Sequence, residues 1–263
     1  MLWDFLYNSS VVVSIFFFGL SCYIFLSAIR IRYHVYLGRK LAKEAKPFSR
    51  LVPKDHRELR ILIMGDSTAV GVGASRPEHS IAGRLGSKFP NAEIINTGRT
   101  GATTGQVLKQ FRRIEGKFDL ILVNTGSNDV LWGVSQKLTE KHLRKLLSNA
   151  KKISPRILVT GTGDAGILPF LPSILKWYFA YRTQLLQHIF ANETRSAGPS
   201  VRFVELFRTE CDRPFLKNPR EHFAYDLAHP NDAGYAALFT CIELVLSSGD
   251  WVVTKARKSN SKW

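Results

Sequence analysis

Five short apolar runs alternate with stretches of helical spacing, and no other feature constrains the fold of this chain as strongly. The runs are Leu59–Met64 (LRILIM), Ala92–Asn96 (AEIIN), Leu120–Asn124 (LILVN), Ile157–Thr160 (ILVT) and Val201–Leu206. Between them, helical spacing covers residues 79–89, 104–115, 139–152 (Leu143, Leu146 and Leu147 share a face) and 173–194. A last, mostly apolar helix over 232–246 follows Asn231 as its cap. Strands that are apolar on both faces need helices on both faces, so the pattern predicts an α/β, three-layer sandwich around a five-stranded parallel sheet. In such sheets chemistry gathers beyond the carboxyl ends of the strands.

A different segment precedes this region. Val11–Ile29 (VVVSIFFFGLSCYIFLSAI) carries no charge, and as a helix it would reach about 28 Å, near the thickness of a bilayer core. It starts without a basic n-region and offers no A-x-A before a cut, so it reads as an uncleaved transmembrane helix rather than a signal peptide. The net charge of +16 clusters beside it. Residues 30–60 hold ten Lys or Arg against three acids, and the stretch from Trp251 adds Lys255, Arg257, Lys258 and Lys262 with no acid. Charge placed this way suits anionic headgroups better than a nucleic-acid-reading face. By the positive-inside rule the C-terminal flank, and with it the α/β domain, is expected in the cytoplasm, the periplasmic or extracellular side being the alternative. The expected division is therefore 1–30 membrane anchor, 31–58 basic juxtamembrane linker, 59–250 α/β domain and 251–263 basic tail. Cys22, Cys211 and Cys241 are too few for a disulfide framework, and none lies in a CxxC pair that would suggest structural zinc.

The residues after each strand hold the chemistry. Gly65-Asp66-Ser67-Thr68 follows the first strand and Asn96-Thr97-Gly98-Arg99-Thr100-Gly101 the second. Thr125-Gly126-Ser127-Asn128-Asp129 follows the third, and Asp226-Leu227-Ala228-His229-Pro230-Asn231 precedes the last helix. Ser67 is a candidate nucleophile, but a free hydroxyl needs a base within reach. His229 can take its proton at neutral pH, and Asp226 can hold the other ring nitrogen. Together the four blocks resemble those of the SGNH, or GDSL-type, hydrolases, from about Arg60 to Leu246. Thr68 stands where the family name has Leu.

That resemblance implies a flavodoxin-like sheet and an esterase, lipase or thioesterase activity with no metal or organic cofactor. It also implies an oxyanion hole made by the Ser67 and Gly101 backbone N–H groups and the Asn128 side-chain amide. Gly98 is the rival for the second donor; Gly101 fits better because Ala102-Thr103 follows it. Asp66 reads as a structural acceptor of loop N–H groups. His222, His188, His142 and His56 compete with His229, but none precedes a proline and a helix cap. Arg99 near the rim reads as a solvated side chain.

Two other motifs lead elsewhere. Gly161-Thr-Gly163-Asp-Ala-Gly166 spells the dinucleotide fingerprint, yet Pro169 and Pro172 follow it and it sits after the fourth strand, not the first. Gly71-Val-Gly73 lacks the Lys of a P-loop, and the chain has no GxSxG elbow. Residues 166–181 (GILPFLPSILKWYFAY) read either as core or as an acyl groove near a membrane. The expected function is a membrane-anchored serine esterase acting on a lipid-derived ester or thioester, of lysophospholipase or acyl thioesterase type. An acyltransferase or deacetylase using the same serine, or an inactive membrane-bound module, are the alternatives. The expected partners are the substrate and the membrane, not nucleic acid.

Overall fold

The computed structural model describes residues 2–248, so the expected basic tail over 251–263 and the last residues of the catalytic domain lie outside the described residues. The chain opens with α1 (Leu2–Glu44), followed by β1 (Leu59–Gly65), α2 (Ser67–Val70), α3 (Ile81–Lys88) and β2 (Ala92–Asn96). Then come α4 (Thr104–Gln110), β3 (Leu120–Asn124), α5 (Ser127–Leu131), α6 (Gln136–Lys151) and β4 (Ile157–Thr160). The remainder is α7 (Ser173–Ala197), β5 (Val201–Val204), α8 (Arg213–Lys217), α9 (Pro219–His222) and α10 (Asp232–Leu246).

The five strands form one parallel sheet in the order β2-β1-β3-β4-β5. This is the flavodoxin-like order, whose topological switch point lies between β1 and β3. Alternate residues of each strand supply two separate cores. Ile61, Ile63, Leu120, Leu122 and Leu158 pack with α3 and α10, while Leu62, Met64, Ile121, Val123 and Val159 pack with α4, α6 and α7. That two-sided burial is why the strand sequences read as continuous apolar runs instead of alternating ones. The short helices α8 and α9 escape the periodicity reading because each is barely one turn and begins around a proline.

α1 is long and apolar enough to cross a membrane. It does not stop at the expected boundary at residue 30 but continues unbroken to Glu44. Beyond the apolar stretch the helix carries half-buried positions at Ile31, His34, Gly38, Leu41 and Ala42, a stripe at helical spacing facing the catalytic domain. The rest of the expected linker is held too: Arg50 pairs antiparallel with Ile94 at the edge of the sheet, and Phe48 packs into the core beside Gly86. Two of the three cysteines are joined, Cys211 to Cys241, tying the segment before α8 to α10. Three cysteines in sequence could not reveal a pair that only the fold brings to a Cα separation of 6.0 Å.

Candidate active site

β1 ends at Gly65, and the chain turns sharply into α2. At φ +153° a side chain here would be strained, and a Cβ would collide with the Asn124 carbonyl oxygen. The glycine lets the end of β1 press against the end of β3, which puts Ser67 at the switch point. Asp66 caps the short helix, its Oδ1 accepting the Thr68 N–H at 3.0 Å.

Ser67 Oγ lies 3.0 Å from His229 Nε2, although 162 positions separate the two residues. His229 Nδ1 lies 2.5 Å from Asp226 Oδ2. The other carboxylate oxygen of Asp226 accepts the backbone N–H groups of Ala228 at 3.1 Å and His229 at 3.0 Å. Closing so tight a loop puts Leu227 at φ +55°, a left-handed conformation that a branched residue adopts only when its surroundings enforce it. Burial alone would raise the Asp226 carboxyl. The bond to His229, the imidazole's charge and the two N–H groups outweigh burial and hold it below the usual carboxylate range.

Gly101, Asn128 and Ser67 line the same cavity. The Gly98 N–H is taken by Asn96 Oδ1 at 2.9 Å, whereas Gly101 borders the open space in front of Ser67. The Asn128 amide is oriented at both ends: its Nδ2 donates to the Ala102 carbonyl and its Oδ1 accepts the Trp132 indole N–H, each at 3.2 Å. Asp129 ties the two loops together, accepting the Thr104 N–H and hydroxyl at 2.8 and 3.0 Å and the Thr139 hydroxyl at 3.0 Å. The sequence reading missed both supports. Asp129 was legible only as the last letter of a motif, and Trp132 as one turn beyond Asn128 on the same helix face.

The competing histidines lie elsewhere. His222 bonds the Asn218 carbonyl on α9, His142 sits beside Gly105, and His56 is exposed next to Asp55. The glycine-rich segment after β4 forms a loop and a single 3-10 turn over Ala165–Ile167, and it lines the cavity. Arg99 is exposed, as expected.

One histidine went unforeseen. His34 on α1 bonds the Asp226 carbonyl oxygen at 3.0 Å and stacks on Phe170 with ring centroids 4.9 Å apart. Four residues on, Gly38 passes so close to the pair that a Cβ there would lie 3.0 Å from Asp226 Oδ2. The cavity in front of Ser67 measures about 520 Å³, within the usual range for a small-molecule site, about 300–1,000 Å³. Its walls are mainly apolar, including Val35 from α1, Phe170, Leu171, Phe179 and Leu238.

Burial dominates Asp66. It pushes the carboxyl up from 3.8 to about 7, despite the Thr68 N–H and the charge of His229, and leaves Oδ2 without a hydrogen-bond partner among the described residues. A folded value above the unfolded one stabilises the fold fully below pH 4, and the benefit disappears as pH rises through 7. The change is worth on the order of 4 kcal/mol. Asp66→Asn keeps an oxygen for the Thr68 N–H and removes the titration. Its Tm relative to wild type is expected to climb by on the order of 10 °C between pH 4 and pH 8. Parallel melting curves across that window would remove Asp66 as the source.

The model of the "GDSL-like Lipase/Acylhydrolase family" matches residues 63–237, more than half of the chain and all four sequence blocks. The chain belongs to this family. It is therefore a carboxylic ester hydrolase of the SGNH/GDSL type. Among solved structures the chain is similar to TesA (18% identity, 72% of this chain and 98% of that one, TM-score 0.58). It is also similar to a lipolytic G-D-S-L family protein from Veillonella parvula (16%, 72% and 99%, 0.54). A third similar structure is that of a variant of Axe2, an acetyl xylan esterase from Geobacillus stearothermophilus (18%, 73% and 96%, 0.51). At these identities the structures share the SGNH/GDSL fold and nothing finer. No curated protein matches the chain.

Proposed function

We propose that this SGNH/GDSL hydrolase is a membrane-anchored serine esterase that cleaves a lipid-derived carboxylic ester or thioester through an acyl-enzyme on Ser67. The observation carrying this reading is the hydrogen-bonded chain Ser67–His229–Asp226 opening into an apolar cavity that the anchor helix itself helps to wall. Ser67 Oγ attacks the acyl carbon while its proton passes to His229 Nε2, and Asp226 stabilises the imidazolium. The carbonyl oxygen takes the negative charge and is met by the Ser67 and Gly101 N–H groups and the Asn128 amide. Collapse expels the alcohol or thiol, which takes the proton from His229. Water then attacks the acyl-enzyme, gives its proton to His229, and the carboxylic acid leaves as Ser67 recovers its hydrogen. An alcohol in place of that water would make the same site an acyltransferase. No step calls for a metal or an organic cofactor.

The test uses the full chain in vesicles with aryl esters of two to sixteen acyl carbons, alongside a fluorophosphonate that labels activated serines. The expected result is turnover that depends on chain length and a single adduct on the Ser67 peptide. Neither turnover nor adduct on folded protein would overturn the reading, and acyl transfer to an added alcohol would turn it toward the acyltransferase. The charge beside α1 supports a cytoplasmic catalytic domain. One observation favours the opposite side: the Cys211–Cys241 bond suits an oxidising compartment. A reporter fused after Trp263, active on only one side of the membrane, decides between them.

A further inference from the structure

Three residues fix the catalytic domain against the stretch of α1 that follows the apolar run. The Arg30 guanidinium donates to the Pro169 carbonyl, His34 stacks on Phe170 and bonds Asp226, and Gly38 abuts the catalytic Asp-His pair. The apolar run ends at Ile29, so the loop bearing Pro169 and Phe170 lies level with the point where α1 would leave a bilayer. Gly38 is nine residues further, about 13 Å along the helix axis. Residues of both levels line one cavity, Ile31 and Phe170 together with Gly38 and Ser67.

The same loop leads directly into α7, whose first turns present Ile174 (74% exposed), Trp177 (72% exposed) and Tyr181, the last stacked on Trp177 at 6.0 Å. Arg182 of α7 donates to the Asp129 and Val134 carbonyls, which brings the end of α5 alongside and adds exposed Trp132 to the cavity rim. Large apolar side chains standing in water lose the benefit of burial, and aromatic rings of this kind are enriched where membrane meets water.

We propose that these exposed side chains, Trp132 of the cavity lining with Ile174, Trp177 and Tyr181 of α7, seat on the leaflet from which α1 emerges, so that an acyl ester dissolved in that leaflet enters the cavity sideways along α1. The proposal deepens the esterase reading and rests on it for the word substrate, but the seating of these side chains is a separate physical claim. The anchor then does more than hold the enzyme near a membrane. Its docked stretch sets the height and tilt of the catalytic domain, and the apolar walls let the acyl chain travel from hydrocarbon to Ser67 without crossing water.

Two measurements on the full chain in phosphatidylcholine vesicles test it. The first pairs Ile174→Ser with Trp177→Ser, neither of which touches the catalytic groups. Turnover of a water-soluble aryl acetate is expected to stay within about twofold, while turnover of a long-chain acyl ester dissolved in the vesicles falls about tenfold or more. Unchanged turnover of the vesicle-borne ester, or an equal fall on both substrates, overturns the proposal. The second needs no activity. In a Cys22→Ser background, a fluorophore on Ile174→Cys is expected to be quenched by brominated lipids. A fluorophore on Ser87→Cys, at the far end of α3 and the opposite edge of the sheet, is not. Equal, weak quenching at both positions overturns the proposal, whereas quenching at residue 174 alone with an inert enzyme refutes the esterase reading instead.

Discussion

Replacing Ser67 by alanine is expected to lower kcat for ester hydrolysis by about 10⁶-fold, the scale seen when a catalytic serine is removed from an intact relay. What remains is the modest acceleration from oxyanion donors and binding alone. The fold has little to lose. The cap of α2 is the Asp66 carboxylate, and Ser67 gives up only a hydroxyl whose partner, His229, remains held by Asp226. Tm should therefore stay close to wild type, and a non-hydrolysable long-chain ether should bind with unchanged affinity. Measured turnover within about tenfold of wild type would show that another group performs the attack and would remove Ser67 as the nucleophile.

Asp226→Asn should cost about 10⁴-fold in kcat with the geometry nearly intact. The reason is one of donors and acceptors. The Asp226 oxygen that accepts the Ala228 and His229 N–H groups would remain an oxygen, which turns the new amide N–H toward His229 Nδ1. Nδ1 must then accept, its proton moves to Nε2, and Nε2 can no longer take the proton of Ser67. Fluorophosphonate labelling of Ser67 should slow in proportion. The wild-type carboxylate also stabilises the fold, since its pKa is held down in the native state. That stabilisation is present above the unfolded value and lost as pH falls through the folded one, so the variant should lack this acid-side loss. A variant with normal turnover would reduce Asp226 to a structural loop residue.

The sheet and the four blocks were legible because they depend on local patterns. A strand buried on both faces must be apolar throughout, so β1 to β4 fall within a residue or so of the expected runs, and β5 ends at Val204, before the expected Leu206. Gly-Asp-Ser after β1 and Asp-x-x-His-Pro before α10 mark tight turns whose residue types are set by backbone geometry. The topology then carries Ser67 and His229 to one rim, and a parallel sheet with helical crossovers leaves little choice in that. α1 was legible as an apolar span, and the charge beside it as a flank.

The tertiary structure alone decided what that flank does. Residues 31–44 look like a basic linker because their charged positions dominate a linear reading. Folded as a helix, they separate into a solvated face and a stripe of Ile31, His34 and Gly38 that reaches the Asp226–His229 pair. No local signal could tell that stripe what it would meet, since its partners lie more than a hundred residues away. Nor does any local signal join Cys211 to Cys241 or foretell the burial that raises Asp66. Local propensity and periodicity are properties of neighbouring residues and survive in the sequence. Contacts between distant segments, and the desolvation that shifts a carboxyl, exist only once the chain has closed on itself.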